Sequence, residues 1–187
     1  MRETFVEVGI IVKAVRSGEY DARLAIFTGK GLQWRSIKGV YRPKAKFASS
    51  CGLFTVAEFT ISGQSITGIN VLVAPYTLAK EINRYYLANS FADALLHLDF
   101  VEQAPQALIC VVNAYTALAT TEESCYPIFL DFYGQILEIL GYNIDLVYDR
   151  AKLTHSAAKQ LVQKVITAYR NHVDYEIQFC EKLYLDN

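Results

Sequence analysis

With 187 residues, 52 % hydrophobic and 20 % charged, the chain has the composition of a packed globular protein, which excludes a long disordered or fibrous one. Its formal net charge of −1 conceals a division: residues 1–80 carry eleven Lys and Arg against five Asp and Glu, +6, while 81–187 carry seven against fourteen, −7. The basic charge is concentrated further, since Arg23, Lys30, Arg35, Lys38, Arg42, Lys44 and Lys46 follow Asp21 with no acid before Glu58, which points to an anionic polymer as partner.

The first predicted elements are strands. Val8, Ile10 and Val12 alternate with Gly9, Ile11 and Lys13; Arg23 to Thr28 and Leu32 to Lys38 follow. Cys51 to Ser62 places Phe54, Val56 and Glu58 on one face and Thr55, Ala57, Phe59 and Ile61 on the other, and Ile66 to Val73 completes the set. Five short strands with glycine-marked turns predict a small closed barrel, of which the five-stranded OB-fold is the leading example. After Pro75 the period changes to helical. Tyr76 to Leu98 recurs at Leu78, Ile82, Tyr85, Tyr86 and Asn89. A second helix starts at Pro105 and runs through Ala107, Val111, Ala114 and Leu118. Ser124 caps a third, with Pro127 in its first turn and Gly141 as its stop. Thr154 or Ser156 caps a last helix through Leu161, Val165, Ala168, His172 and Tyr175. The expected architecture is α+β: a basic OB-fold barrel over 1–75 that binds nucleic acid, then an acidic all-α domain over 76–187 that binds protein.

The sharpest local signal is the loop Lys38-Gly39-Val40-Tyr41-Arg42-Pro43-Lys44-Ala45-Lys46-Phe47, which presents four cations with two aromatics. OB-type barrels hold single strands by a positive groove with aromatic stacking platforms, and Trp34, Tyr41 and Phe47 are the candidate platforms. For Trp34 and Phe47 a place in the barrel core is equally open, since large aromatics usually bury; Tyr41, between Val40 and Arg42, is the better candidate for exposure. Six tyrosines of the acidic half (Tyr85, Tyr86, Tyr115, Tyr126, Tyr133 and Tyr142) suit an interface, with most in the core or at its rim.

An enzyme is not expected. His97, His155 and His172 fall in predicted helices without a partner nucleophile, Glu122-Glu123 reads as a solvated turn, and Gly29-Lys30-Gly31 is too short for a phosphate loop. Cys51, Cys110, Cys125 and Cys180 are widely spaced, form no zinc pattern, and follow no signal-like start. Reduced thiols in a cytoplasmic protein, no membrane span, no metal and no cofactor are the corresponding expectations.

The residues Gly9-Ile10-Ile11-Val12-Lys13, Gly18-Glu19-Tyr20-Asp21, Phe27-Thr28-Gly29-Lys30-Gly31 and Lys38-Gly39-Val40-Tyr41-Arg42-Pro43-Lys44, in that order, resemble the N-terminal half of the bacterial recombination mediator RecO. The helix end Ile139-Leu140-Gly141-Tyr142 is similar to that family's Gly-Tyr stop. The resemblance implies an OB-fold followed by helices, binding of single- and double-stranded DNA, strand annealing, and partnership with RecR, the single-strand-binding protein SSB and RecA-type recombinases. It implies DNA contacts by Arg35, Lys38, Arg42, Lys44 and Lys46, to which the basic run adds Arg23 and Lys30 and the aromatic argument adds Trp34 and Tyr41. Glu19 and Asp21 have structural work, at a turn or beside a basic neighbour. The chain departs from the family pattern where a cysteine-rich zinc module commonly follows the Gly-Tyr stop: Asn143 to Thr154 runs almost directly into the last helix, so that module is expected to be deleted. Two alternatives share these residues: a protein-interaction adaptor acting through the helices, and an RNA-binding OB module.

Overall fold

The structure, a computed structural model, describes residues 3–74, 78, 81–98, 100, 102–120, 124–173 and 177. Glu122-Glu123, Tyr175, Cys180 and the predicted helix start at Tyr76 lie outside the described residues.

Five strands form the first part: β1 (Thr4–Ser17), β2 (Asp21–Thr28), β3 (Gly31–Ile37), β4 (Val56–Ser62) and β5 (Ser65–Val73). They close into a barrel in the order β1-β2-β3-β5-β4, the arrangement expected of an OB-fold. β1 is long because it serves two neighbours, pairing β4 through Thr4–Ile10 and β2 through Gly9–Ser17. A register shift between Ile11 and Lys13 supplies the bend that lets one strand do both. The closing contact is short and parallel, Ser36 with Ser65 and Ile37 with Ile66. Inside, Ile11, Leu24, Ile26, Ile37, Ala57, Phe59, Ile61 and Ile66 form the barrel core, as the period-two alternation requires.

One strand differs from its predicted length. β4 begins at Val56, not Cys51: a 3₁₀ turn occupies Ala48–Ser50, and Phe54 takes a positive φ of 68° that no strand accommodates. Phe54 donates its N–H to Ile11 O (2.8 Å) and Ile11 returns one to Thr55 O (3.0 Å), so this segment is fastened to β1 without extending β4.

Four helices follow: α1 (Ile82–His97), α2 (Ala104–Thr120), α3 (Cys125–Ile139) and α4 (His155–Val173). The Ser124 hydroxyl accepts the Tyr126 N–H at the start of α3 (3.4 Å), and Thr154 accepts that of Ala157 at α4 (3.3 Å). At the end of α3, Gly141 lies at φ 88° while Tyr142 N–H reaches Leu137 O (2.8 Å) and Gly141 N–H reaches Glu138 O (2.9 Å). The Gly-Tyr stop is thus a Schellman motif, in which the glycine supplies the left-handed turn.

The chain divides into two compact units, Met1–Pro75 with Leu98–Leu108, and Tyr76–His97 with Ile109–Asn187. Leu98–Leu108 belongs with the barrel because Phe100 packs edge-on against Phe27, with centroids 5.6 Å apart. In the helical unit Phe91 stacks on Phe132 (3.9 Å), and Tyr133 meets Phe91 and Tyr169 edge-on. Of the six tyrosines singled out in this half, Tyr115 and Tyr133 are core residues whose hydroxyls donate to Ala88 O (2.6 Å) and Ser90 O (3.1 Å); Tyr85 alone of the six is exposed, and Tyr86, Tyr126 and Tyr142 are half-buried. α1 also turns a different face inward than the predicted stripe. Ile82 and Tyr85 are exposed, and Arg84, Leu87, Ala88, Phe91 and Leu95 are buried. Apolar residues lie on several sides of this helix, so two stripes fit the period and packing selects the one carrying small residues beside Phe91.

Candidate nucleic-acid interface

Alternation along β3 sends Trp34 and Arg35 to opposite faces. Trp34 pairs across β2 with Ala25, and Ala25 pairs with Lys13 of β1; the next outward row is Ser36, Arg23 and Val15. Trp34 is 37 % exposed, so its ring stands on the outer surface and not in the core. The small Ala25 opposite leaves it room, and the Arg23 guanidinium lies over the indole, 5.4 Å from its centroid. Lys13, exposed in the same row, is a cation that the sequence reading passed over because it lies outside the acid-free run.

The basic loop begins where that face ends. Asp21 accepts from Lys38 Nζ (2.8 Å) and from the Gly39 N–H (2.8 Å), and Gly39 can turn there because its φ is 65°. These two bonds, Lys38's first, hold the Asp21 carboxyl below its ordinary range. Asp21 is therefore the structural partner of a basic neighbour, as its place in the sequence suggested. Tyr41 donates its N–H to Tyr20 O (2.9 Å), fixing the loop to the β1–β2 turn. Val40 is buried beneath it, whereas Tyr41, Arg42 and Lys44 are exposed. Successive bonds from Arg42 N to Gly39 O (3.2 Å) and from Ala45 N to Arg42 O (3.0 Å) shape the rest as linked turns. Phe47 takes the other of its two open placements: it packs half-buried against the barrel core, with Lys46 Nζ 5.1 Å from its ring.

Arg23, Trp34, Lys38, Tyr41 and Arg42 thus share one edge of the barrel with the loop that carries Lys44 and Lys46. Arg35 and Lys30 stand apart. Arg35 points inward, donating to Gln64 Oε1 (2.7 Å) and to Gln33 Oε1. Lys30 lies in the β2–β3 turn, paired with Glu7 (3.3 Å), at the end of β2 opposite Asp21; at about 3.4 Å per residue those ends are roughly 23 Å apart. Both residues belong to a polar cluster in which Gln33 also donates to Glu7 Oε2 (3.2 Å) and to Thr28 Oγ1 (3.0 Å). Nothing in the acid-free run distinguished a cation with such partners from one without. The register and the partner side chains do.

Two residues near the loop went unassigned in the sequence. Tyr20 lies under the Arg42 guanidinium, 5.6 Å from its centroid, and Arg16 lies over Tyr41 at 5.4 Å. The signal for Tyr20 was its place in the Gly18-Glu19-Tyr20-Asp21 segment, next to a residue with an obvious structural role.

The remaining chemistry is quiet. Burial pushes the Cys51 thiol to about 11 and the Cys110 thiol to about 12, well away from a nucleophile's range. Among the described residues no group of three potential metal ligands occurs, and no helix is long and apolar enough to cross a membrane.

The fold is thus an OB-type barrel with a helical unit after it, and cations stand beside exposed rings on one side of the barrel. No family model matches the chain. It is similar to the DNA repair protein RecO of Acetivibrio thermocellus, with 27 % identity over 140 residues. That alignment covers 72 % of this chain and 56 % of the relative, so it spans little more than half of the relative's length. The likeness to RecO read from the motifs is therefore found again by alignment over most of the chain.

Proposed function

We propose that the chain is a RecO-like protein of recombinational DNA repair that binds single- and double-stranded DNA, promotes annealing of complementary strands and helps to load a RecA-type recombinase. Its role is non-enzymatic and cytoplasmic: cations screen the phosphates of two strands while rings hold unstacked bases, and no bond is made or broken. The observation that carries this reading is the outer face of β2 and β3, where an exposed Trp34 lies under Arg23 and adjoins the loop bearing Tyr41, Arg42, Lys44 and Lys46. Rings beside cations on these strands are what single-strand recognition by such barrels uses. The RecO relative supplies the biological setting, and RecR and SSB are the partners that setting implies. Arg35 and Lys30 serve this reading as organisers of the barrel's polar cluster, ahead of any phosphate contact.

The test is binding of a fluorescent single-stranded oligonucleotide across a salt series. With about five phosphates neutralised, log K falls against log[salt] with a slope of about −3.5. The variant Arg42→Ala, Lys44→Ala, Lys46→Ala should bind more weakly with a flatter slope. Salt-insensitive binding by the wild type would reject the proposal and direct the search to a protein partner of the helical unit. Equal or stronger binding of RNA of the same sequence would favour the RNA alternative.

A further inference from the structure

We infer that Tyr20 and Tyr41, with Arg42 and Arg16, form a nucleobase clamp separate from the Trp34 face, taking an unstacked base of a single strand. The inference rests on the single-strand binding proposed above, shares Tyr41 and Arg42 with that reading, and adds Tyr20 and Arg16 to it.

Four observations carry it. The two elements exchange cations: the loop's Arg42 lies over the turn's Tyr20, and Arg16 of β1 lies over the loop's Tyr41. Each ring therefore has a guanidinium on it while remaining open to solvent, at 38 % exposure for Tyr20 and 47 % for Tyr41. Both rings thus keep surface that a flat ligand can cover. The backbone that carries the two rings is also tied down before any ligand arrives. The bond from Tyr41 N–H to Tyr20 O and the two bonds on Asp21 tie the turn to the loop, so little freedom is lost on binding. Arg16 is held as well, donating to Glu19 O (2.7 Å).

The chemistry of the occupant follows. A ring with a guanidinium beside it offers a π-face for stacking and N–H donors for phosphate or base-edge oxygens, which suits a nucleotide of any base. The clamp also lies in line with the Trp34 face. Trp34 and Ser36 alternate on the outer side of β3, opposite Ala25 and Arg23, and Lys38, just past the strand's end and bonded to Asp21, leads on to the loop. Same-face residues on a strand are about 6.8 Å apart, a step comparable with that between phosphates of an extended single strand. One strand can therefore lay one base on Trp34 and another, at least two nucleotides further along, in the clamp.

The experiment separates stacking from charge. Full-length wild type and the double variant Tyr20→Leu, Tyr41→Leu are titrated with a short oligothymidylate and with an abasic oligonucleotide of equal length and charge. The main-chain and Asp21 bonds that hold the loop do not use either phenol ring, and Tyr20→Phe, Tyr41→Phe serves as the ring-preserving control. A stacked base is worth about tenfold in affinity. The wild type and the Phe control should therefore prefer thymidylate to the abasic strand by at least that factor. The Leu variant should lose about tenfold of the preference, read as the ratio of the two affinities within the same protein. Fluorescence of Trp34, the single tryptophan, should still be quenched in that variant. An unchanged preference in the Leu variant, with wild-type binding intact and salt-dependent, overturns the clamp and leaves the proposed function standing. Absence of salt-dependent binding by the wild type overturns both.

Discussion

Lys44 sits at φ 60°, in the left-handed region that a residue with a Cβ occupies at a cost. It is exposed in the basic loop, so packing does not explain its presence there. Backbone strain of this kind gathers at sites where a side chain is needed for function. Lys44→Gly should therefore move stability and binding in opposite directions. It should stabilise the fold by about 1 kcal/mol, read by denaturant midpoint, and weaken single-strand binding with a salt slope shallower by about 0.7. Asp21 gives a second prediction at this scale. Its folded pKa is lowered by Lys38 and by the Gly39 N–H, so its latch contributes stability above the unfolded value of about 3.9. That contribution is lost as pH falls through the lower folded value. Below about pH 4 the melting temperature of the wild type should thus fall more steeply than that of Asp21→Asn, whose amide does not titrate. Parallel curves for the two proteins would remove Asp21 from any account of the loop's order.

Among the elements, the helices are held as much by their ends as by their faces. The buried Arg84 of α1 donates to Leu118 O (2.9 Å), one of the last carbonyls of α2, and pairs with Glu81 (2.5 Å). A cation there satisfies an orphan acceptor and meets the negative end of the α2 dipole. Arg84→Met keeps the side-chain volume but strands the carbonyl, and should cost about 1–3 kcal/mol in chemical unfolding. Retained stability would show that water or another donor replaces it. The sequence offered no hint of this residue, because an Arg in a helical run reads as solvent-facing. Caps were far more legible: Ser124, Thr154 and Gly141 stand where their local chemistry placed them, since a cap is decided by neighbours two or three residues away. The inward faces of α1 and α4 were less so. In α4 the buried set is Ala158, Val162, Val165, Ile166 and Tyr169, rotated by about one residue from the predicted stripe. Period fixes a stripe's spacing but not its phase when apolar residues are this common.

For the molecule as a whole, the division of charge read from composition falls close to a division of architecture. The barrel strands end at Val73 and the first long helix begins at Ile82, near the point where the excess changes from basic to acidic. The sequence alone determined the order of five strands and four helices, their caps and glycine turns, and the presence of a basic, aromatic loop. All of these depend on residues close together in the chain. The tertiary structure decided which cations are available and which rings are exposed. The inward turn of Arg35, the pairing of Lys30 with Glu7, the outward Trp34 and the crossed Arg16–Tyr41 and Arg42–Tyr20 contacts all depend on strand register and loop docking. A register slip of one residue would exchange the two faces of β3 and reverse the roles of Trp34 and Arg35. That register is set by closure of the barrel around its core, through partners distant in sequence, and no local pattern encodes it.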